Sequence, residues 1–317
     1  MTDKIVEASV AVIVRPDGSY LLAQRPPGKV YAGYWEFPGG KIEPGEAALA
    51  ALAREMREEL NIEPIVAHPW LTRAYVYPHA SVKLHFFRVT EWRGELHGRE
   101  GQQLAWQHGG HDTTLGVEPM LPANAPILRA LALPAVYGIS HAAELGKEVF
   151  LQRLELALQR GLRLVQLREK TLPQVELLEL AQRVVALCRR HGARVLVNGD
   201  VELARAAGAD GVHFAATQLM ACTQRPDLAL CGASCHNAAE LRHAEMLGFD
   251  FAVLGAVQPT PSHPGIAGMG WQAFRDAVRD SAIPVYALGG MQLDDLGTAW
   301  RHGAHGIATM RAVWLDG

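Results

Sequence analysis

The stretch Gly40–Ile62, GKIEPGEAALAALAREMREELNI, decides how the first part of the chain folds. Its helical spacing and alanine-rich filling predict a helix over Glu46–Leu60. Positions i, i+3 and i+4 share one face of a helix, so Glu55, Glu58 and Glu59 project together. Carboxylate oxygens clustered in this way suit Mg²⁺ or Mn²⁺, which would bridge them to phosphate oxygens. These three residues alone also fit a solvated acidic face.

The wider spacing of the stretch favours the metal site. The residues match the Nudix signature, G-x5-E-x7-R-E-U-x-E-E-x-G-U, at every specified position except Asn61, where the family has Gly. Asn is the non-glycine residue that best tolerates the left-handed dihedral angles expected after a helix. The stretch therefore resembles the metal-binding helix of Nudix hydrolases.

Further runs extend this resemblance to the MutT-type 8-oxo-dGTP diphosphatases, over residues 5–132. They are Trp35–Glu43, Trp92–Glu95 with Gly98–Gln102, and Leu121–Asn124. The resemblance implies metal ligands at Glu55, Glu58, Glu59, Glu100 and the Gly39 carbonyl, with Arg54 orienting the carboxylates and Lys41 contacting phosphates. It also implies attack of water on phosphorus, which releases pyrophosphate and leaves a nucleoside monophosphate. Glu55 is a candidate for the proton acceptor, but the sequence does not settle which glutamate is the general base.

Base recognition depends on residues outside the helix. Asn124 matches the family asparagine whose amide offers a donor and an acceptor together, which suits the edge of 8-oxoguanine. Arg25 and Phe37 match positions that line the nucleotide pocket in these enzymes. An alternative for Asn124 is a loop residue that makes an Asx turn. The family arginine that helps to seal the base pocket falls at Ala80, so we expect weaker affinity for the oxidised base.

Other elements of the first part follow from local patterns. Alternating apolar residues in Ala8–Val14 and the run Tyr20–Ala23, joined by a Pro-Asp-Gly turn, predict a β-hairpin. We also predict strands at Trp70–Tyr77 and Val82–Glu91. The segment Gln107–Pro126, rich in Gly, His and Pro, predicts a loop with weak structure.

From Ala135 onward, short and continuously apolar strands alternate with amphipathic helices, which predicts a parallel sheet buried on both faces. The predicted strands are Ala135–Ile139, Leu162–Leu167, Arg194–Asn198, Gly211–Phe214, Leu230–Ala233, Phe251–Gly255, Pro284–Leu288 and Gly306–Thr309. Eight such units suggest a (β/α)8 barrel. The predicted fold class is therefore α/β, with an N-terminal Nudix α/β/α sandwich in residues 1–132 and a C-terminal TIM barrel in residues 133–317.

The second part resembles thiamine phosphate synthases and their TenI-like thiazole tautomerase relatives over residues 134–314. The runs that carry this resemblance are Leu164–Lys170, Leu196–Asp200, Gly208–His213, Gly232–Asn237 and Ala287–Met291. The resemblance implies that Gln166, Arg168, Lys170 and Asn198 surround a phosphate-bearing pyrimidine, and that the amides of Gly289 and Gly290 bind phosphate. A tight turn at the two glycines, and ion pairs of Arg168 and Lys170 with Glu169 or another neighbour, are the structural alternatives.

The residues of the synthase metal site are replaced in this chain. The family binds Mg²⁺ through two aspartates, which should lie at Gly199 and near Gln218. A phosphate-binding lysine is replaced within Pro259–His263, and a serine of the last loop falls at Arg311. Because departure of pyrophosphate needs the metal, we expect the barrel to lack synthase activity.

Two other functions for the barrel stay open. The tautomerase relatives need no metal, share Asn198-Gly199, and use a histidine at the position of His236 to move protons. On this interpretation the Nudix domain would hydrolyse a thiamine-related pyrophosphate, although a structural role for His236 is equally compatible with the sequence. Alternatively, the barrel is a non-catalytic sensor or assembly module.

Composition limits the remaining possibilities. The 317 residues carry 30 Lys and Arg against 33 Asp and Glu, so tight binding to nucleic acid is not expected. No apolar run reaches the ~18–20 residues of a membrane span. Four cysteines without a CxxC pair are typical of a reducing compartment.

We therefore expect a cytoplasmic Mg²⁺-dependent enzyme that acts on a small nucleoside triphosphate, with Mn²⁺ as an alternative metal. We expect no contact with a membrane, and the protein could form a homo-oligomer. Hydrolysis of 8-oxo-dGTP would keep the mutagenic base out of DNA synthesis.

Overall fold

The computed structural model describes residues 5–78, 80–109, 115–260 and 267–315. It divides the chain into two compact units, Met1–Leu133 and Pro134–Gly317. Within the described residues, no helix is long and apolar enough to cross a membrane.

The N-terminal unit contains two sheets. Its strands are β1 (Val6–Ile13), β2 (Ser19–Gln24), β3 (Trp35–Glu36), β4 (Gly39–Lys41), β5 (Glu63–Tyr77), β6 (Ala80–Arg93) and β7 (Leu104–His108), and its helices are α1 (Ala48–Leu60) and α2 (Ala125–Leu131). The first sheet has the order β4-β1-β6-β5 and the second has the order β3-β2-β7. The β1–β6 pair is parallel, and the other pairs are antiparallel.

Strand β1 connects the two helix layers. Successive side chains of a strand point to opposite faces. Accordingly, Ala11 and Ile13 pack with the buried residues of α1, whereas Val10 and Val12 pack in the cluster that contains residues of α2. This alternation places one helix on each side of the sheet region, as in an α/β/α sandwich.

The predicted hairpin is wrong beyond its turn. One bridge joins Val14 to Tyr20, and then β1 and β2 enter different sheets. The last five residues of β1 are all buried, and β4 and β6 pair with its two edges. Because both edges of β1 are occupied, β2 pairs instead with β3 and β7.

The prediction of a weakly structured loop over Gln107–Pro126 is also wrong in part. Strand β7 ends within this segment at His108, and a 3₁₀ helix over Pro122–Asn124 leads into α2. Pro126 lies in the first turn of α2, where proline is tolerated because its missing N–H would have no helical partner. Proline therefore marks the start of a helix here.

The C-terminal unit is a barrel. Its strands are β8 (Val136–Ile139), β9 (Leu164–Leu167), β10 (Arg194–Asn198), β11 (Gly211–Phe214), β12 (Leu230–Cys235), β13 (Phe251–Gly255), β14 (Val285–Leu288) and β15 (Gly306–Thr309). Its helices are α3 (Ala142–Leu145), α4 (Lys147–Gln159), α5 (Gln174–Arg190), α6 (Val201–Ala207), α7 (Ala216–Ala221), α8 (Ala238–Met246), α9 (Gly270–Val278) and α10 (Leu296–Arg301). The eight strands pair in parallel and close. The predicted fold class is confirmed.

Aromatic side chains fill the barrel interior. Tyr137, His213, Phe251 and Tyr286 are each at most 1% exposed, and their rings contact one another. The carboxyl ends of the strands carry the predicted ligand residues, as is usual for barrels of this type.

Candidate active sites

Arg54 ties together the acidic residues of the N-terminal unit. Its Nη1 lies 2.7 Å from Glu55 Oε1 and 3.2 Å from Glu58 Oε2, while its Nη2 donates to Glu46 Oε2 at 3.0 Å and to the carbonyl of Lys41 at 2.9 Å. The hydrogen bonds with Glu46 and then Glu55 raise the pKa of the guanidinium above its ordinary value. Arg54 thus fixes the loop before α1 against two carboxylates of the helix.

Glu59 projects toward β4. Its Oε2 accepts a hydrogen bond from the Gly39 N–H at 3.2 Å. Burial, followed by the charges of Glu36, Glu55 and Glu100, raises the pKa of Glu59 to about 8 against the opposing effect of Lys29. The neighbouring carboxylates therefore repel the negative charge of Glu59.

Gly39 and Gly40 allow β4 to approach its neighbours closely. A Cβ on Gly39 would lie 2.1 Å from the Ser9 carbonyl oxygen, and one on Gly40 would lie 2.1 Å from the Glu55 carboxyl carbon. Gly39 also has a φ of 151°, which disfavours other residues. A larger residue at either position would displace the strand or the carboxylate.

Glu100 reaches this region from the segment after β6. Its Oε2 lies 2.6 Å from Lys29 Nζ. The segment itself is docked on the end of α1, where the Arg99 N–H and the Gln102 side chain both donate to the Glu59 carbonyl. Carbonyls at the end of a helix need such partners, so docking places Glu100 beside the helix.

The predicted base-binding residues lie in different environments. Arg25 Nη1 pairs with both carboxylate oxygens of Glu36 at 2.6 Å. Phe37 is 2% exposed and contacts Tyr20 in the core, with ring centroids 5.8 Å apart. Lys41, the predicted phosphate contact, is exposed.

Asn124 is 5% exposed at the end of the 3₁₀ helix. Its Nδ2 contacts Met120 Sδ at 3.8 Å, a weak partner. The described residues contain no side-chain nitrogen or oxygen that is shut off from solvent without a hydrogen bond. The Asn124 Oδ1, which accepts no hydrogen bond among the described residues, therefore still touches open space.

The barrel mouth brings together three of the predicted residues, Gln166, Asn198 and Lys170. Gln166 Nε2 donates to Asn198 Oδ1 at 3.1 Å across β9 and β10. Lys170 is exposed and lines a cavity of about 260 Å³ that Asn198 also lines. Arg168 is half-buried, and burial of His213, followed by the Arg168 charge, lowers the pKa of that histidine.

The anticipated ion pairs of Arg168 and Lys170 with Glu169 do not form. Glu169 instead accepts from Ser140 Oγ at 2.5 Å and from the N–H groups of Ala142 and Ala143, which begin α3. The Glu169 carboxylate therefore binds the N–H groups at the start of α3. It does not neutralise the charges of Arg168 and Lys170.

The two replaced metal positions contact each other. Gln218 Nε2 donates to the Gly199 carbonyl at 2.9 Å, and Gln218 Oε1 accepts from the Ala215 N–H at 3.2 Å. Gly199 has a φ of 71°, and a Cβ there would lie 2.8 Å from Gln218 Oε1. The neighbouring Asp200 caps α6 through the Leu203 N–H. Residues 261–263, where the family lysine is replaced, lie outside the described residues.

Residues 136–313 match the family model described as thiamine monophosphate synthase, which is more than half of the 317 residues. The chain belongs to the thiamine monophosphate synthase family. Residues 9–130 match the NUDIX domain model, so the N-terminal unit is a Nudix hydrolase domain.

Individual proteins resemble each half. The putative thiamine-phosphate synthase 2 of Aquifex aeolicus is 36% identical over 56% of this chain and 96% of its own length. The putative thiamine-phosphate synthase of Geobacter sulfurreducens is 39% identical over 57% of this chain and 87% of its own length. A solved chain from work on MutT of Aliivibrio salmonicida and Vibrio cholerae is 29% identical, with a TM-score of 0.35, and covers 41% of this chain and 98% of its own.

The donor set of the Nudix domain fits a hard divalent cation. The resemblance would place oxygen ligands at Glu55, Glu58, Glu59 and Glu100, and a cation would offset the repulsion that Glu55 and Glu100 exert on Glu59. Among the described residues, no three His, Cys, Asp or Glu side chains are already arranged to hold an ion. Arg54 and Lys29 pair with three of the four carboxylates instead. The synthase-like barrel does not fit its family's metal, because Gly199 and Gln218 provide no carboxylate.

Other predicted barrel residues have structural partners. His236 is exposed, and its backbone N–H donates to Glu240 Oε2 at 2.7 Å, while its Nδ1 lies 3.1 Å from the same oxygen. Gly289 and Gly290 have φ values of 100° and 69°. A Cβ added to Gly289 would lie 2.6 Å from the Ala256 Cβ, and one added to Gly290 would lie 2.8 Å from the Gln258 Cβ. The turn therefore requires glycine for its backbone alone.

Sequence reasoning missed several residues around the Nudix carboxylates. Lys29 pairs with Glu100, and Glu36 pairs with Arg25. Burial and then the charge of Glu36 raise the pKa of Tyr77. Glu36 stands inside the quoted run Trp35–Glu43, which could have indicated it. Lys29 carries no local signal, because its partner is 71 residues away.

Proposed function

We propose that the Nudix domain hydrolyses an oxidised purine nucleoside triphosphate, most readily 8-oxo-dGTP, to the monophosphate and pyrophosphate with Mg²⁺. The observation that carries this proposal is the carboxamide of Asn124, which is 5% exposed and whose protein partner is a thioether. A buried amide normally forms strong hydrogen bonds. A ligand edge with an acceptor beside a donor would supply them, and 8-oxoguanine has such an edge.

The chain's own residues would position the reacting groups. Glu55, Glu58, Glu59, Glu100 and the Gly39 carbonyl would hold the cation, which when bound supplies charge neutralisation at the phosphates and activation of water. Arg54 holds Glu55 and Glu58 in fixed directions through contacts of 2.7 and 3.2 Å. We assign Glu55 as the proton acceptor, because its carboxylate lies directly against β4, where a Cβ on Gly40 would come within 2.1 Å of it. Lys41, exposed at the end of β4, would contact the phosphates.

Replacing the carboxamide tests this function. Asn124→Ala should remove the preference of the enzyme for 8-oxo-dGTP over dGTP, because losing one bidentate base contact costs ~1–3 kcal/mol. The kcat for dGTP should stay within about threefold of the wild-type value. The measurement is kcat/KM for both nucleotides and for the pyrophosphate of a thiamine precursor. If the wild type instead turns over the thiamine-type compound best, and Asn124→Ala leaves that activity unchanged, a thiamine-related substrate is correct.

We further propose that the barrel binds a phosphorylated ring compound without catalysing the synthase reaction. Its mouth has Arg168, Lys170 and the Gln166–Asn198 pair, but glycine and glutamine at the metal positions. Thiamine phosphate formation by the full chain with Mg²⁺ should therefore be undetectable. Production of thiamine phosphate that Lys170→Ala abolishes would contradict this proposal.

A tautomerase barrel remains the second candidate, because it needs proton transfer rather than a metal. His236 would be the shuttle, and Glu240 Oε2, 3.1 Å from its Nδ1, would fix its orientation. Isomerisation of a thiazole phosphate by the wild type, lost in His236→Asn, would establish this activity. A sensor role predicts instead that a bound phosphorylated compound changes the Nudix rate, and that Lys170→Ala removes the response.

A further inference from the structure

Lys29 brings a positive charge to the carboxylates of the Nudix domain. Its Nζ lies 2.6 Å from Glu100 Oε2, and the two side chains stay accessible, with exposed fractions of 48% and 41%. The hydrogen bond with Glu100 raises the pKa of Lys29 against the opposing effect of burial. The ammonium group therefore keeps its charge at neutral pH.

The charge of Lys29 also reaches carboxylates that it does not contact. Burial is the largest cause of the raised pKa of Glu59, and the charge of Lys29 opposes it. Burial likewise raises the pKa of Glu36, against the charges of Arg25 and then Lys29. Such effects between partly exposed groups fade beyond about 10 Å. Lys29 therefore lies among three carboxylates that come from β3, α1 and the segment after β6.

Hydrogen bonds hold the segment that carries Lys29, which joins β2 to β3. The Arg25 N–H donates to the Tyr34 carbonyl at 2.8 Å, and the Gly33 N–H donates to the Arg25 carbonyl at 2.9 Å. Within the segment, the Ala32 N–H donates to the Lys29 carbonyl at 3.0 Å. Because the backbone around Lys29 is held in this way, the fold of the segment keeps the lysine beside Glu100.

The other cations of this region have their donors engaged by the protein. Arg54 donates to three carboxylates and one backbone carbonyl through Nε, Nη1 and Nη2. Arg25 donates to a backbone carbonyl and to both carboxylate oxygens of Glu36. An ammonium group has three N–H donors. Among the residues that the structure describes, Lys29 Nζ has one acceptor, Glu100 Oε2, so two of its donors are left for solvent or a ligand.

The ligand that suits these donors is an anion that arrives with a cation. The surrounding carboxylates repel an isolated negative charge. A phosphate chain whose oxygens are shared with a divalent cation meets less repulsion, because the cation also binds the carboxylates. A lysine ammonium binds phosphate as a point charge and imposes no bidentate geometry. A chain of two or more phosphates with its cation therefore fits the surroundings of Lys29.

We propose that Lys29 binds the phosphate chain of the substrate through Nζ while it continues to hold Glu100. This inference rests on the proposed hydrolysis of a nucleoside triphosphate and adds a second phosphate-binding lysine to Lys41. Lys41 lies on β4 and Lys29 on the segment between β2 and β3, so the two lysines come from different elements. Lys29 thus contributes to affinity for the phosphates and not to the choice of base.

The test replaces the charge of Lys29 and then restores it. Lys29→Met keeps an unbranched side chain without the charge. It should raise the KM for 8-oxo-dGTP, and the inhibition constant of pyrophosphate, about tenfold or more, the scale of a lost hydrogen bond between charged groups. Lys29→Arg keeps the charge and should stay within about threefold of the wild type. Inhibition by 2′-deoxyguanosine, which has no phosphate, should be the same in all three proteins.

Lys147→Met is the matched control. Lys147 Nζ also lies 2.6 Å from a glutamate oxygen, Glu176 Oε2, with similar exposure of both side chains, but this pair belongs to the barrel. The variant should keep the wild-type KM and the wild-type inhibition by pyrophosphate. A loss equal to that of Lys29→Met, or a wild-type KM in Lys29→Met, would overturn the inference.

A role of Lys29 limited to holding Glu100 gives a different result. Titration of the full chain with Mn²⁺ alone, followed by electron paramagnetic resonance, separates the two roles. We expect Lys29→Met to bind Mn²⁺ at least as tightly as the wild type, because a positive charge has been removed near the carboxylates. Binding of Mn²⁺ that weakens about tenfold, with the wild-type KM restored by excess Mn²⁺, would show that Lys29 acts only through Glu100 and would contradict phosphate binding.

Failure of the proposed function gives another pattern. If the wild type cleaves a thiamine-type pyrophosphate and no nucleotide, the same rise in KM for that compound in Lys29→Met still supports the inference, and an unchanged KM contradicts it. If the wild type cleaves neither, equilibrium dialysis of dGTP with Mg²⁺ decides. Binding that weakens about tenfold in Lys29→Met but not in Lys29→Arg supports phosphate binding, whereas equal binding or no binding contradicts it. Thermal unfolding checks each variant, and Lys29→Gln replaces Lys29→Met if that variant does not fold.

Discussion

The acidic face of α1 and the mouth of the synthase-like barrel use their charges in opposite ways. In the Nudix domain, Glu59 has a pKa raised to about 8 by burial and by neighbouring carboxylates, with Lys29 as the opposing charge. In the barrel, Glu169 and Asp200 are occupied by the starts of α3 and α6. The first region has negative charge that a cation would neutralise, and the second has basic residues without metal carboxylates.

Within one chain, a fold can be kept while the residues that carry its chemistry are replaced. The barrel closes with eight parallel strands and matches the model of its family, while the two positions where the family's metal carboxylates are expected hold glycine and glutamine. In the Nudix domain, Asn61 replaces the family glycine at a turn where the backbone conformation matters. This replacement removes no carboxylate.

The largest effect is expected at the acidic face. Glu58→Gln removes one negative charge from an exposed side chain and should reduce pyrophosphate release by about a hundredfold or more, the scale of losing a group that acts on the reacting centre. Glu91→Gln, at an exposed position on β6, is the matched control and should keep wild-type activity. A Glu58→Gln enzyme with wild-type turnover would remove the metal role of this face.

A smaller effect is expected where the barrel lacks carboxylates. Gly199→Asp should destabilise the barrel by about 1–3 kcal/mol, because position 199 has a φ of 71° and an added Cβ would lie 2.8 Å from Gln218 Oε1. Gly199→Asp/Gln218→Asp should relieve the steric part of this cost and add a Mn²⁺ site that isothermal titration can detect. A single variant as stable as the wild type in urea denaturation would show that the two positions are not coupled.

The buried histidine of the barrel gives an effect that depends on pH. Burial and then the Arg168 charge lower the pKa of His213 from 6.5 to about 3, so the folded protein keeps it neutral between Tyr137 OH and Ser234 Oγ. The unfolded chain binds a proton below about pH 6.5. Stability contributed by this group is therefore fully present above that pH and falls by up to about 1.4 kcal/mol per pH unit as the pH decreases toward 3.

Urea denaturation at pH 7.5 and 5.5 measures this dependence. His213→Gln keeps hydrogen-bonding groups but does not titrate, so its unfolding free energy should change less between the two pH values than that of the wild type. Equal changes in both proteins would exclude His213 as the cause.

The smallest effect is expected at the departure from the Nudix signature. Asn61 has a φ of 57° and its Nδ2 donates to the Glu95 carbonyl at 3.3 Å. Asn61→Gly gains backbone freedom suited to this angle but loses the hydrogen bond, so stability should change by less than about 1 kcal/mol. Activity should stay at the wild-type level. A loss of activity above tenfold would show that Asn61 takes part in the site, at variance with its position at the end of α1.

Elements with strong local patterns could be predicted from the sequence. The barrel strands Arg194–Asn198, Gly211–Phe214, Phe251–Gly255 and Gly306–Thr309 have the predicted bounds, because each is a short and largely apolar segment between turn residues. Helix α1 begins two residues after the predicted start and ends at the predicted residue.

Features that depend on distant partners could not be predicted in the same way. The separation of β1 and β2 into two sheets follows from pairing with strands far along the chain. The contact between Lys29 and Glu100 joins residues in two irregular segments. Tyr75 and Tyr77 show only the alternation of any strand, and Tyr31 meets them through a left-handed turn that no sequence pattern indicates.

Pyrophosphate release by the full chain from 8-oxo-dGTP and dGTP, at matched low concentrations with Mg²⁺, tests directly whether the Nudix domain acts on oxidised purine nucleotides. We predict a strong preference of the wild type for the oxidised nucleotide and its loss, together with nearly all turnover, in Glu58→Gln. Equal turnover of the two nucleotides, or turnover of neither, would contradict the assignment of this domain to oxidised purine nucleotides.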